Sequence, residues 1–276
     1  MNRRVLKKVK GTPAIDGAGV KLVRVLGPET VKDFDPVLML DSFDSTNPDD
    51  YTAGFPMHPH RGIETISYLA AGEMTHHDSM GFTDTIRSGE VQWMTAGSGI
   101  LHEELIPESE RMLGVQLWLN LPSSEKMSSP EYHSIKRSEI QEIPIEGGFL
   151  RLLAGGYQDK RGFKGSHLPL DYYDIHLNEG ESFSLDTEED SSIMLFTLLG
   201  KIIVEDNIIE EKSAVKLSSG SSVSFKSLDG PSEVLFISSK ALNEPVAWGG
   251  PIVMNTSKEL RKAWEDLQNN TFIQHG

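Results

Sequence analysis

The stretch "FPMHPHRGIE", residues 55–64, decides how the chain is read, because it sets two of only nine histidines on either side of a proline. Residues i and i+2 of a strand point to one face, so His58 and His60 project their imidazoles in the same direction. Pro59 has no N–H for a β-ladder, which confines the pair to a strand start or an edge at the rim of a sheet. Farther along, "GSGILHEELIP" (97–107) repeats the arrangement with His102 and Glu104. Two such strands face to face would gather three imidazoles and one carboxylate. That donor set leaves positions open on an octahedral ion, as in a catalytic rather than a closed structural site. Glu64, just after the first pair, is a rival fourth ligand. In "MTHHDS" (74–79) only one of His76 and His77 can face inward. Such a histidine is a partner to a ligand, an acid/base group, or an ordinary core or surface residue.

The chain around these motifs is strand-like. Apolar alternation recurs in short bursts bounded by Gly, Ser, Asp and Pro: "VKLVRVLG" (20–27), "ETISYLAAG" (64–72), "GVQLWLNLP" (114–122), "DYYDIHLNEG" (171–180), "SVSFKS" (222–227) and "EVLFIS" (233–238). This is period-two patterning with turn punctuation, so an all-β sandwich or barrel is expected. One helix is predicted in "NTSKELRKAWEDLQ" (255–268), with Thr256 and Glu259 as a capping box. Leu260, Ala263, Trp264 and Leu267 form its apolar face, suited to packing on a sheet.

Composition narrows the function classes. The chain has 276 residues, 38% of them hydrophobic, enough for a substantial core. It has no cysteine, so thiolate chemistry, Cys-type zinc sites and iron–sulfur clusters are excluded and any metal must sit on nitrogen and oxygen. With 26 basic and 41 acidic residues the net charge is −15, which argues against direct nucleic-acid binding. The basic cluster Arg3, Arg4, Lys7, Lys8 and Lys10 reads as the solvated face of a first strand. No apolar run approaches bilayer length and the start lacks a secretory pattern, so no membrane association and cytoplasmic residence are expected.

The two halves can be superposed on their glycines. "ISYLAAGEMTHHD" (66–78) matches "LFTLLGKIIVED" (195–206), and "RSGEVQWM" (87–94) matches "SSGSSVSF" (218–225). A polar stretch at 121–144 suits a linker, giving an N-terminal barrel over 1–138 and a C-terminal barrel with the final helix over 139–276. Transferring the spacings of His58, His60, His102 and Glu104 to the second half lands on Asp186, Glu188, Glu233 and Leu235. No histidine appears, so the second barrel is expected to be metal-free.

Taken together, "GFPMHPHRGIETISYLAAGE", "GEVQWMTAGSGILHEELIP", "GVQLWLNLPSSEKMSSPEY", "DFDPVLMLDSF" and the late "EPVAWGGPIVMNT" resemble the pirin family of the cupin superfamily over nearly the whole chain. The resemblance implies a bicupin, two tandem cupin β-barrels, with one metal in the N-terminal barrel. It implies His58, His60, His102 and Glu104 as ligands and leaves Glu64 outside the set. The divalent metal it implies is Fe(II), with Mn, Ni, Co, Cu and Zn as alternatives. Gln92, Trp93, Met94 and Gly97 match the family signature and read as packing beneath the site. Gln116 and Trp118 share a face, whose direction parity does not fix.

Some pirins are similar in activity to quercetin 2,3-dioxygenase, opening the heterocyclic ring of a flavonol with dioxygen and releasing carbon monoxide. The resemblance therefore implies a small-molecule flavonol-like substrate and O₂, with Glu104 also serving as catalytic base. Other pirins imply a different class, a non-enzymatic iron-binding regulator that responds to redox state and binds protein partners. No basic or apolar docking face in the sequence points to that second class.

Overall fold

A computed structural model describes residues 1–274 of the chain as two all-β units. The first comprises Pro13–Arg24, Val37–Arg137 and the chain from Leu242 onward; the second comprises Met1–Thr12, Val25–Pro36 and Ser138–Ala241.

In the first unit a seven-stranded sheet runs in the order Glu131–Ile135, Glu90–Thr95, Ile63–Ala71, Met112–Asn120, Val37–Ser45, Val20–Leu26, Thr12–Asp16. A four-stranded sheet runs Phe55–His60, Ile100–Leu105, Glu73–Asp78, Thr83–Arg87, so the two histidine motifs are hydrogen-bonded neighbours. Part of this unit's core is apolar, built from Val20, Leu22, Phe43, Leu69, Met74, Ile86 and Met112. Polar side chains occupy the rest of the interior, among them His60, Glu64, Ser67, His76, Gln92, His102 and Glu104, all buried. A barrel that buries so many polar groups carries a cost unless each is paired or meets a ligand.

The second unit repeats the plan with another seven-stranded and another four-stranded sheet. Its main core cluster is apolar and aromatic, including Leu150, Tyr173, Ile175, Phe183, Leu195, Phe225, Val234 and Phe236, and buried Asp174 and Glu233 lie apart from that cluster.

The chain's path differs from a single cut after residue 138. The first strand, Val5–Lys10, pairs antiparallel with Ser213–Leu217 and so joins the second unit. The polar stretch expected as a linker adds Glu131–Ile135 to the edge of the first unit's sheet, beside Glu90–Thr95. The terminal helix Ser257–Gln268, expected with the second barrel, belongs to the first unit. The reason is apolar: Ala263 packs with Ile252, Met254 and Phe272, and Leu260, Leu267 and Leu101 close the cluster. Its capping box forms, with Thr256 Oγ1 accepting from the Glu259 N–H at 3.2 Å and Glu259 accepting from the Thr256 N–H at 2.8 Å.

Arg3 also departs from expectation. It is buried, donating to Thr187 Oγ1 at 2.9 Å and to the carbonyls of Ser191 at 3.0 Å and Ser218 at 2.6 Å, so backbone oxygens satisfy the guanidinium. Among the described residues no helix is long and apolar enough to cross a membrane.

Candidate metal centre

The antiparallel pairing of Ile100–Leu105 with Phe55–His60 sets His102 directly opposite His58. The rings of His58, His60 and His102 lie 4.4 to 5.0 Å apart by centroid, and each offers a ligand nitrogen within 4.8 Å of the others. His58 Nδ1 faces the Pro56 carbonyl at 2.9 Å and His60 Nδ1 faces the Pro251 carbonyl at 3.0 Å. A carbonyl only accepts, so in the neutral rings both Nδ1 atoms carry the proton and both Nε2 atoms present lone pairs. Those two Nε2 atoms are 3.0 Å apart.

Two facing lone pairs repel unless a cation lies between them. Adjacent ligands at about 2.1 Å from an octahedral metal are about 3.0 Å from each other, so the spacing fits an ion. His102 Nε2 is buried and has no hydrogen-bond partner among the described residues. Burial first, and then the proximity of the His58 ring, push the His60 imidazole down to about 3. Burial, then His60, His58 and His76, hold His102 well below the ordinary histidine range. Both rings are therefore neutral at physiological pH, the form that ligates metal.

Glu104 is buried two residues beyond His102 but stands apart from the three-nitrogen cluster. Its Oε1 accepts from Gln92 Nε2 at 2.8 Å, and its Oε2 accepts from Gln116 Nε2 at 2.9 Å. Gln116 also reaches Ser67 Oγ at 3.3 Å, and Trp118 Nε1 donates to Gln116 Oε1 at 3.4 Å. Two primary amides thus hold the carboxylate from the floor of the seven-stranded sheet. This fixes the direction left open by parity: Gln116 and Trp118 face the histidines, with Trp118 edge-on to His60 at 5.0 Å. Trp248, from the late segment, packs against Trp118 at 5.6 Å.

Glu64 is occupied elsewhere. Its Oε1 accepts from Trp93 Nε1 at 3.0 Å and Thr95 Oγ1 at 2.7 Å, beneath the site and outside the histidine cluster. Gln92, expected only to pack, instead donates to Glu104. The signal for that was its place in a period-two run, which decides a face only once the sheet's partners are known.

The glycines of the two motifs are dictated by close approach. Gly62 has φ +79°, and a Cβ there would sit 2.1 Å from the Val253 carbonyl oxygen. Gly97, at φ +48°, would place a Cβ 2.2 Å from the Ser128 oxygen. The Gly62 N–H donates to the Gly97 carbonyl at 2.8 Å, joining the turn after His60 to the turn before His102.

His76 lies inward and is buried, whereas His77 lies outward and meets Glu103 at 3.1 Å. A second group of donors occurs in the other unit, where Asp174, His176 and Glu233 approach within 4.8 Å. There the Arg151 guanidinium already lies 3.1 Å from Asp174 Oδ2 and 3.3 Å from His176 Nε2, and His176 Nε2 is 2.7 Å from Asp174 Oδ2. That set is an ion-pair network with its own cation. His176 is raised above its ordinary value because the hydrogen bond and charge of Asp174, with Glu233, outweigh burial.

Comparison with known proteins identifies the family. Residues 19–119 match the family model described as Pirin, and residues 172–273 match that described as Pirin C-terminal cupin domain. A pirin-like protein of Caulobacter vibrioides is 39% identical over 275 residues, covering 98% of this chain and 99% of the relative. Human pirin is 34% identical over 274 residues, covering 97% and 93%. The crystal structure of a quercetin 2,3-dioxygenase from Acinetobacter baumannii superposes with a TM-score of 0.90 at 32% identity, covering 99% of both chains. With both halves matched in order and relatives aligned end to end, the chain belongs to the pirin family and is built of two cupin-type domains.

Proposed function

We propose that this pirin is a metal-dependent dioxygenase that opens the heterocyclic ring of a flavonol such as quercetin. Both atoms of O₂ enter the product ester, and the carbon bearing the 3-hydroxyl leaves with its oxygen as carbon monoxide. The observation that carries the reading is the convergence of three imidazoles, with the Nε2 atoms of His58 and His60 3.0 Å apart, together with a buried carboxylate two residues beyond His102 that two amides hold. The Acinetobacter baumannii structure, titled a quercetin 2,3-dioxygenase, supports it by likeness over the full chain.

In this reading His58, His60, His102 and Glu104 hold one divalent ion, Fe(II), which supplies Lewis acidity toward two adjacent substrate oxygens and a path for electrons to dioxygen. Glu104 takes the 3-hydroxyl proton onto a carboxylate oxygen, a general-base role for which its burial excludes competing water. Gln92 and Gln116 hold that carboxylate while it receives the proton. Trp118 and Trp248 wall the site beside His60 and offer aromatic faces to a flat polyphenol.

Anaerobic titration of the Fe(II)-loaded protein with quercetin tests the reading. The flavonol absorption band is expected to shift and to saturate at one equivalent per metal. An unshifted band would contradict substrate chelation at this centre.

A further inference from the structure

Behind the metal-facing histidines stands a pair of residues that neither the family match nor the proposed chemistry assigns. His76 and Asp78 lie on strand Glu73–Asp78, opposite Glu104 and His102 of strand Ile100–Leu105, and all four side chains are buried. Asp78 Oδ1 accepts from the backbone N–H of Met80 at 2.8 Å and of Phe82 at 3.1 Å. Asp78 Oδ2 is 2.8 Å from His76 Nε2. The His76 ring is stacked on Tyr132 at 4.3 Å and 16°, which fixes its plane, and its Nδ1 is 3.3 Å from His102 Nδ1.

We propose that Asp78 and His76 are positioning residues that order the protons of His102 so that its Nε2 lone pair is presented to the metal. The inference rests on the metal-centre reading above. An ionised carboxylate has no proton to give, so His76 Nε2 must be the donor to Asp78. A neutral His76 then has its lone pair on Nδ1. His102 Nδ1 must supply the proton between the two rings, which leaves His102 Nε2 bare. That nitrogen is buried and has no hydrogen-bond partner among the described residues. With one proton on each ring, each link follows from the one before it, and the chain starts in a carboxylate anchored by two backbone amides. Outer groups that set ligand tautomers in this way typically change metal affinity by about 10–100-fold.

Asp78→Asn tests the relay because it is isosteric and reverses one link. Asparagine keeps its oxygen toward the N–H groups of Met80 and Phe82 and turns its NH₂ toward His76. His76 Nε2 must then accept, its proton moves to Nδ1, and His102 is driven to carry its proton on Nε2. In the metal-free full-length protein, ¹⁵N-resolved imidazole spectra of the wild type are expected to show His102 protonated on Nδ1 and His76 on Nε2. The variant is expected to show both reversed, with unchanged far-ultraviolet circular dichroism. Titration with Ni(II) as an air-stable probe is expected to give a dissociation constant about 10–100-fold weaker in the variant. Equal Ni(II) affinity in the two proteins would overturn the relay. So would a wild-type spectrum with His102 protonated on Nε2 or His76 protonated on both nitrogens, which needs no variant to fold. A wild type that takes up no Ni(II) would overturn the metal-centre reading itself, and the relay with it.

Discussion

Replacing Asp266 by Ala should unfold the histidine motif from its far side. Asp266 lies on the terminal helix with its side chain 4% exposed, and it meets Arg61, 2% exposed, at 2.8 Å. Arg61 is the residue after His60. Its Nε donates to the Ser98 carbonyl at 2.6 Å, its second terminal nitrogen donates to the Phe272 carbonyl at 2.9 Å, and the guanidinium stacks over the Phe272 ring at 4.2 Å. One cation thus ties the turn of the first motif, the turn before His102 and the C-terminal segment together. Removing the carboxylate leaves a buried guanidinium with carbonyl partners but no counter-charge, a change that typically costs about 3–5 kcal/mol. At about 2–4 °C per kcal/mol for domains of this size, the melting temperature should fall by about 6–20 °C. Urea denaturation followed by circular dichroism and by tryptophan fluorescence reads both the loss and any separate unfolding of the two units. Replacing the pair together, Arg61→Met with Asp266→Leu, should recover only part of the loss, because it removes the unpaired charge but leaves the Ser98 and Phe272 carbonyls without their donor. A loss under about 1 kcal/mol for Asp266→Ala, the range of exposed pairs, would refute the argument that this pair is desolvated. The pH dependence has a definite sign. Burial opposes ionisation of Asp266, but hydrogen bonds from Lys262 and Arg61 outweigh it and hold the carboxyl below its ordinary value. The stabilisation is therefore complete above the unfolded carboxyl range and is lost as pH falls through the lower folded value.

Three further substitutions address the centre and its neighbourhood. His102→Ala should strip the metal while leaving a folded β protein, read by metal analysis and circular dichroism, with a wild-type content near one ion per chain; unchanged content in the variant would contradict the assignment. Glu104→Gln should retain much of the metal and lower flavonol turnover by about 10²–10⁴-fold, the usual contribution of a general base. Glu64→Gln should do much less, since Glu64 is engaged by Trp93 and Thr95, and the reverse ranking would show that the wrong carboxylate was chosen.

The gathering of His58, His60 and His102 was legible because strand parity is local. His58 with His60, and His102 with Glu104, need only their own spacing to be placed on one face, and the turn glycines announce themselves by type. What parity cannot supply is the partner across the sheet. Gln92 and Gln116 each occupied one of two faces, and only the pairing of Ile63–Ala71 with both neighbouring strands turned their amides toward Glu104. His76 was one of two adjacent histidines with equal claims until the register set it against Glu104. The exchange of segments between units was hidden for the same reason. Val5–Lys10 reads as an ordinary first strand, and nothing in its composition says that its partner is Ser213–Leu217, about two hundred residues away. Arg3 looked solvated in a basic run because its acceptors are backbone carbonyls, which a sequence does not display.

Carbon monoxide counted against metal tests the central claim most directly. The Fe(II)-loaded protein, saturated anaerobically with quercetin and then opened to oxygen, should consume the flavonol band and release one carbon monoxide per quercetin through many turnovers per ion. Quercetin that binds and stays intact in oxygen, with no carbon monoxide released, would contradict the account.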